Sequence, residues 1–238
     1  MDALVKRKEV CVIGAGAAGL CATKHFARSS NFELKVYEQA EDIGGTWVYK
    51  EETGDKEHGL PVHSSIYRNL RTNLPAKIMN FPDYLTLNAE EPCCVTHQEV
   101  RAYLQNYAKH FDLLKYIQFG TKVESVRSEI SSDGVEKWIV RVKMVKTGQV
   151  EEAIFNAVII CNGHFFDPYV PTVPGIETFP GIVTHSHTYR KPEDFTGKSI
   201  LILGASSSGI DIALDLINHA TRVYLCHNNQ RYFRSIFA

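Results

Sequence analysis

The short run Glu9-Val10-Cys11-Val12-Ile13 stops at Gly14-Ala15-Gly16-Ala17-Ala18-Gly19, and helix formers and small residues fill 17–28. A second strand-like run, 34–37, ends at Glu38, 24 residues after Gly14. Nothing else in the chain restricts its fold as tightly. An apolar strand running into GxGxxG and then a helix predicts a βαβ unit with a parallel sheet. Gly14 permits the tight turn, Gly16 lets a pyrophosphate approach the backbone, and Gly19 lets helix and strand pack closely. The helix start offers free N–H groups and partial positive charge to phosphates. An acid at Glu38 is placed to hydrogen-bond a ribose diol, so the context favours a bound dinucleotide over a merely tight turn.

The same pattern returns 190 residues later. The run at 198–204 reads as a buried strand ending in glycine, Ser207–Ile217 as a helix and 222–226 as a strand. Two Rossmann-like dinucleotide-binding units of α/β class are the simplest reading. Between them, Thr96-His97-Gln98-Glu99 is a capping box opening a helix through Phe111. Runs at 121–128, 137–144 and 150–155, with turns at Asp133-Gly134 and Thr147-Gly148, predict an antiparallel meander. AVIIC at 157–161 reads as one more buried strand. Pro168, Pro171, Pro174 and Pro180, with Pro192 just beyond, mark a stiff connection. The expected organisation is a first domain over 1–166, a connection over 167–197 and a partial second domain over 198–238.

Composition narrows the class further. Lys plus Arg number 26 and Asp plus Glu 27, a net charge of −1, so the basic excess of a nucleic-acid binder is missing. No run approaches the length of a membrane span. The N-terminal ten residues lack the apolar core of a secretory leader. The six cysteines form no CxxC pair and no zinc-like spacing, which predicts reduced, buried thiols, no metal and a cytoplasmic protein. Ile43-Gly44-Gly45-Thr46-Trp47 admits two readings: backbone amides approaching a further part of the ligand, or a plain Gly-Gly turn with Trp47 in the core.

Taken together, GAGAAGL (14–20), YEQAEDIGGTW (37–47), YRNLRTN (67–73), Phe179-x-Gly181-xxx-His185-xxx-Tyr189 and Gly204–Asp211 resemble the flavin-containing monooxygenases in order and spacing. The resemblance covers essentially the whole chain. It implies FAD on the first unit, at Gly14, Ala15, Gly16, Ala17, Ala18, Gly19, Glu38, Gly45, Thr46 and Trp47. It implies NADPH on the second, at Ser206, Ser208, Gly209, Ile210 and Asp211. Thr72 and Asn73 correspond to residues facing the flavin ring and the nicotinamide, with Asn73 the catalytic candidate; read alone, Asn73 before Leu74-Pro75 is equally a turn former. Only Arg222 and Arg231 are available as cations near the end of the last strand for a 2′-phosphate.

In that family NADPH reduces FAD, and the reduced flavin takes up oxygen as a C4a-hydroperoxide that a soft nucleophile then attacks. The partners implied are therefore O2 and a small amine or sulfide. Baeyer–Villiger monooxygenases share the layout but carry Trp, then Pro or Asp, where Tyr189-Arg190 stands. His185 and Tyr189 read as structural residues of the junction, since the flanking Pro and Gly argue against the helix that would face them together. Family members run well beyond Ala238, which predicts an incomplete second domain with an exposed edge. A non-catalytic flavin-binding chain is the alternative to an active enzyme. A longer form with a C-terminal anchor would sit on the cytosolic face of the endoplasmic reticulum.

Overall fold

A computed structural model describes residues 7–53, 62–90, 93–130 and 134–227. In chain order the elements are β1 (Lys8–Ile13), α1 (Ala17–Ala27), β2 (Phe32–Tyr37), α2 (Ala76–Met79) and α3 (His97–His110). Then come β3 (Ile117–Gln118), β4 (Thr121–Ile130), β5 (Glu136–Met144), β6 (Val150–Phe155) and β7 (Ala157–Ile160). The last three are β8 (Ser199–Leu203), α4 (Ser207–Leu216) and β9 (Arg222–Cys226).

The first unit has three layers. Its central parallel sheet has the order β3-β2-β1-β7, with Ile13 opposite both Tyr37 and Ile160. Alternation along β1 sends neighbouring side chains to opposite layers. Val12 packs with Leu20 of α1 and with Val100, Leu104 and Tyr107 of α3. Cys11 instead meets Val140, Val142 and Phe155 of the antiparallel β4-β5-β6 meander on the other face. Burial of Cys11 pushes its thiol pKa up to about 12, so it stays protonated at neutral pH. The other cysteines depart from expectation: Cys161 is half-buried, and Cys93 and Cys226 are exposed. β7 is an edge strand, so Ile160 is 68% exposed where a buried strand was expected.

The capping box forms as expected. Glu99 N–H donates to Thr96 Oγ1 (3.3 Å), and Thr96 N–H donates to Glu99 Oε2 (2.7 Å). Thr96→Ala should therefore cost about 1 kcal/mol, read as a lower denaturant midpoint with an unchanged slope.

The second unit repeats the topology of β1-α1-β2 with one difference. β8 and β9 are parallel, with Ser199 opposite Arg222. Ile200, Ile202 and Val223 face Ile212 and Leu216 of α4. The opposite face carries Leu201, Leu203 and Tyr224, which are 62, 68 and 51% exposed. β8 is thus covered on one side only, not buried on both, because no described element layers the other face. Within 167–197 the only regular pieces among the described residues are 3-10 turns, at Ile176–Thr178, Ser186–Thr188 and Pro192–Phe195.

Candidate cofactor-binding site

Both glycine turns fold alike. Gly14 and Gly204 have φ of +99° and +110°, a region that L side chains rarely adopt. A Cβ on Gly19 would lie 1.8 Å from the Gly14 carbonyl oxygen, and one on Gly209 would lie 2.0 Å from that of Gly204. These glycines seat α1 on β1 and α4 on β8. The middle position differs. Gly16 (φ −76°, ψ −171°) and Ser206 (φ −83°, ψ −179°) share an extended backbone open to any residue, so serine replaces glycine there without strain.

The helix starts show what they leave free. Whereas α3 caps itself, neither Gly16 nor Ser206 caps its helix through a side chain. The first N–H groups of α1 and α4 are therefore available to an anion. A Cβ at Gly16 would come no nearer than 3.6 Å to any protein atom outside its neighbours. Packing within the protein does not demand glycine there, whereas close approach by a pyrophosphate would.

Around the first turn the separate motifs converge. Ala15 N–H donates to Glu38 Oε2 (2.7 Å) and Ala40 N–H to Oε1 (2.8 Å). Desolvation pushes the Glu38 pKa up, opposed by these backbone bonds. Gln39 N–H also reaches this carboxylate, whose two oxygens offer about four lone-pair sites, so it can still accept from a ribose hydroxyl. Gly44 N–H donates to the Ala15 carbonyl (3.2 Å), and a Cβ on Gly45 would lie 3.1 Å from Gly16 Cα. The Gly-Gly segment thus lies directly against the phosphate turn. Thr46 accepts from Ser64 Oγ at its carbonyl (2.6 Å), and Trp47 packs half-buried at the edge of the helix-side core. Ala17 and Ala18 open α1.

Thr72 and Asn73 lie on a separate segment fastened beside the start of α3. Thr72 is 6% exposed, and its N–H donates to the Val95 carbonyl (2.8 Å). Its hydroxyl accepts from Val95 N–H (3.1 Å) and donates to the Leu74 carbonyl (2.7 Å). Asn73 beside it is exposed. On the second unit, Ser206 and Ser208 are exposed while Gly209, Ile210 and Asp211 are half-buried. The Asp211 carboxylate accepts from the Tyr67 hydroxyl. Arg231 lies outside the described residues.

A profile of the family described as "FMO-like: Flavin-binding monooxygenase-like" matches residues 7–235. The chain belongs to that family. The family's description is of flavin binding, in agreement with the flavin that the resemblance implied. The chain is 36% identical over 233 residues to the flavin-containing monooxygenase FMO GS-OX-like 9 of Arabidopsis thaliana, covering 92% of this chain and 50% of the relative. The structure of S-allyl-L-cysteine S-oxygenase from Allium sativum superposes with a TM-score of 0.83 at 34% identity, over 94% of this chain and 53% of that one. Cyclohexanone monooxygenase from Rhodococcus sp. Phi1, solved with NADP+ bound, shares the fold at a TM-score of 0.66 and 21% identity, over 94% of this chain and 38% of that one. The chain spans about half the length of the curated relatives it matches.

Arg190, 3% exposed, donates from Nη1 to the His187 and Tyr189 carbonyls (2.9 and 2.8 Å) and from Nη2 to the Ser64 carbonyl (2.8 Å). It thereby stitches the connection to the segment leading to Thr72. His185 Nδ1 accepts from His187 N–H (3.1 Å), and buried Tyr189 donates to Asp215 (2.6 Å). Their structural reading is consistent with these bonds. No helix among the described residues is long and apolar enough to cross a membrane. Among the same residues, no group of three or more His, Cys, Asp or Glu could hold a metal ion.

Proposed function

We propose that the protein is a monooxygenase that uses FAD, NADPH and O2 to place one oxygen atom on a soft nucleophile, a sulfide sulfur or an amine nitrogen. The other oxygen atom leaves as water, and the two electrons come from NADPH. FAD is assigned to residues 1–166 and NADPH to residues 198–238, across the connection at 167–197. The observation that carries the reading is the pair of uncapped glycine-turn helices, one per unit, in a chain matched by the flavin-binding family along nearly its whole length.

When bound, the flavin supplies the redox and oxygen chemistry, and the protein binds, orients and excludes water. The start of α1 would hold the FAD pyrophosphate, Glu38 the ribose, and Gly45, Thr46 and Trp47 the next part of the same ligand. The α4 start, at Ser206, Ser208, Gly209 and Ile210, would hold the nicotinamide dinucleotide. Thr72 fixes the backbone that presents Asn73. Its neutral amide offers both a donor and an acceptor without adding charge. The likeness to the S-allyl-L-cysteine S-oxygenase of Allium sativum supports sulfur as the first nucleophile to try.

A second reading, flavin binding without turnover, is favoured by the uncovered face at Leu201, Leu203 and Tyr224. The absorption spectrum of the purified protein, followed by NADPH and a small sulfide in air, separates the two. Flavin bands, NADPH consumption and sulfoxide in equal amounts support the monooxygenase. Flavin without NADPH oxidation supports the second reading. A folded protein that binds no added FAD overturns both.

A further inference from the structure

α4 carries two carboxylates one turn apart, Asp211 and Asp215, and at that spacing they share one helix face. Both reach towards the segment 67–70. Tyr67 donates its hydroxyl to Asp211, Tyr189 donates to Asp215 Oδ2 (2.6 Å), and Asn69 Nδ2 donates to Asp215 Oδ1 (2.9 Å). The two tyrosine rings meet edge to face, 5.4 Å between centroids and 64° between planes, at 5 and 4% exposure. They close a small core with Ile212 and Leu216 on the same helix. Burial, and then the Asp215 charge, push the Asp211 pKa up, a cost that a phenol donor offsets.

From Tyr67 the chain has little freedom before the candidate catalytic residue. Leu70 N–H donates to the Tyr67 carbonyl (3.1 Å), and the Leu70 carbonyl accepts from His97 N–H (3.2 Å) at the start of α3. Two residues on, Thr72 is clamped to Val95 in both directions. One helix therefore offers its free N-terminus to a dinucleotide and, a turn or two further on, grips the segment that presents Asn73.

We propose that Asp211 and Asp215, through Tyr67, Tyr189 and Asn69, are positioning residues that couple occupancy of the α4 N-terminus to the placement of Asn73. The inference rests on the reading of α4 as the nicotinamide dinucleotide site. It gives the Asp211 side chain a task other than touching the cofactor.

Hydrogen exchange of the FAD-loaded protein, with and without NADP+, tests this. In the wild type, NADP+ should slow exchange at 205–211 and, by about tenfold, at 67–73, the scale of one charge-assisted hydrogen bond. Tyr67→Phe with Tyr189→Phe keeps both rings and removes both hydroxyls. In that variant, protection at 205–211 should persist while the NADP+ effect at 67–73 shrinks to less than about threefold. The NADP+-induced shift of the flavin absorption band should shrink with it. Should the double variant not fold, Tyr67→Phe alone carries the same comparison. Protection of 205–211 without 67–73 in the wild type overturns the coupling, as does full protection of 67–73 in the variant. No protection at 205–211 in the wild type instead removes the dinucleotide site on which the coupling rests, and the coupling with it.

Discussion

Gly16→Ala should leave the protein as stable as wild type and weaken its flavin binding, whereas Gly19→Ala should destabilise the fold and weaken flavin binding with it. At residue 16 the backbone is extended and the nearest atom to a new Cβ is 3.6 Å away, an ordinary contact. The substitution costs the apoprotein nothing sterically and removes chain entropy from the unfolded state, worth up to roughly 0.4–1 kcal/mol of added stability. On the proposed assignment, the same methyl would stand where the pyrophosphate approaches the N–H groups at the start of α1. A loss of about 10- to 100-fold in FAD affinity corresponds to roughly 1.4–2.7 kcal/mol. At residue 19 the methyl would lie 1.8 Å from the Gly14 carbonyl oxygen, a backbone atom of the same turn. Relief requires α1 to lift off β1, which disturbs fully buried Leu20 and Val12 and costs at or above the roughly 1–3 kcal/mol of ordinary overpacking. Thermal unfolding of the two apoproteins, with FAD titration of each, checks both halves. Equal FAD affinity in Gly16→Ala and wild type would take the pyrophosphate away from this turn.

Asn73→Asp should spare flavin binding and slow flavin reduction by NADPH by tenfold or more. The hydrogen bonds of this segment run through Thr72 to Val95 and Leu74, so a change at exposed Asn73 leaves its anchor intact. The residues assigned to the pyrophosphate and ribose, Gly16 and Glu38, lie on other segments. On the proposed placement of Asn73, what changes is a unit of negative charge beside a ring that becomes anionic on reduction. Two like charges about 4 Å apart repel by about 1 kcal/mol in water and about 4 kcal/mol at an effective dielectric near 20. Each 1.4 kcal/mol is a factor of ten. Stopped-flow absorbance under anaerobic NADPH, with a parallel FAD titration, separates the two effects. Wild-type reduction kinetics in the variant would remove Asn73 from the site.

Local chemistry made much of this legible in the chain itself. Strand, glycine turn and helix are short-range patterns, and each recurred where the residues predicted it, in both units. The capping box formed because Thr96 and Glu99 satisfy each other within one turn, independent of the rest of the fold. The meander followed its three alternating runs, with Thr147-Gly148 lying between the last two, while Asp133 of the other expected turn lies outside the described residues. Gly14, Gly16 and Glu38 belong together because a single βαβ unit fixes their positions. Burial and long-range pairing were decided elsewhere. Whether Leu201 and Leu203 are covered depends on what layers over β8, and whether Cys93 or Cys226 is exposed depends on neighbours remote in sequence. The Gly44-Gly45 segment could be placed against the phosphate turn only once α1 and the loop after β2 had packed. Above all, the bonds from Tyr67 to Asp211 and from Tyr189 to Asp215 span 144 and 26 residues. No periodicity encodes such a pair, because a hydrogen bond across that separation exists only after the helix and the connecting segment have docked on a shared apolar core.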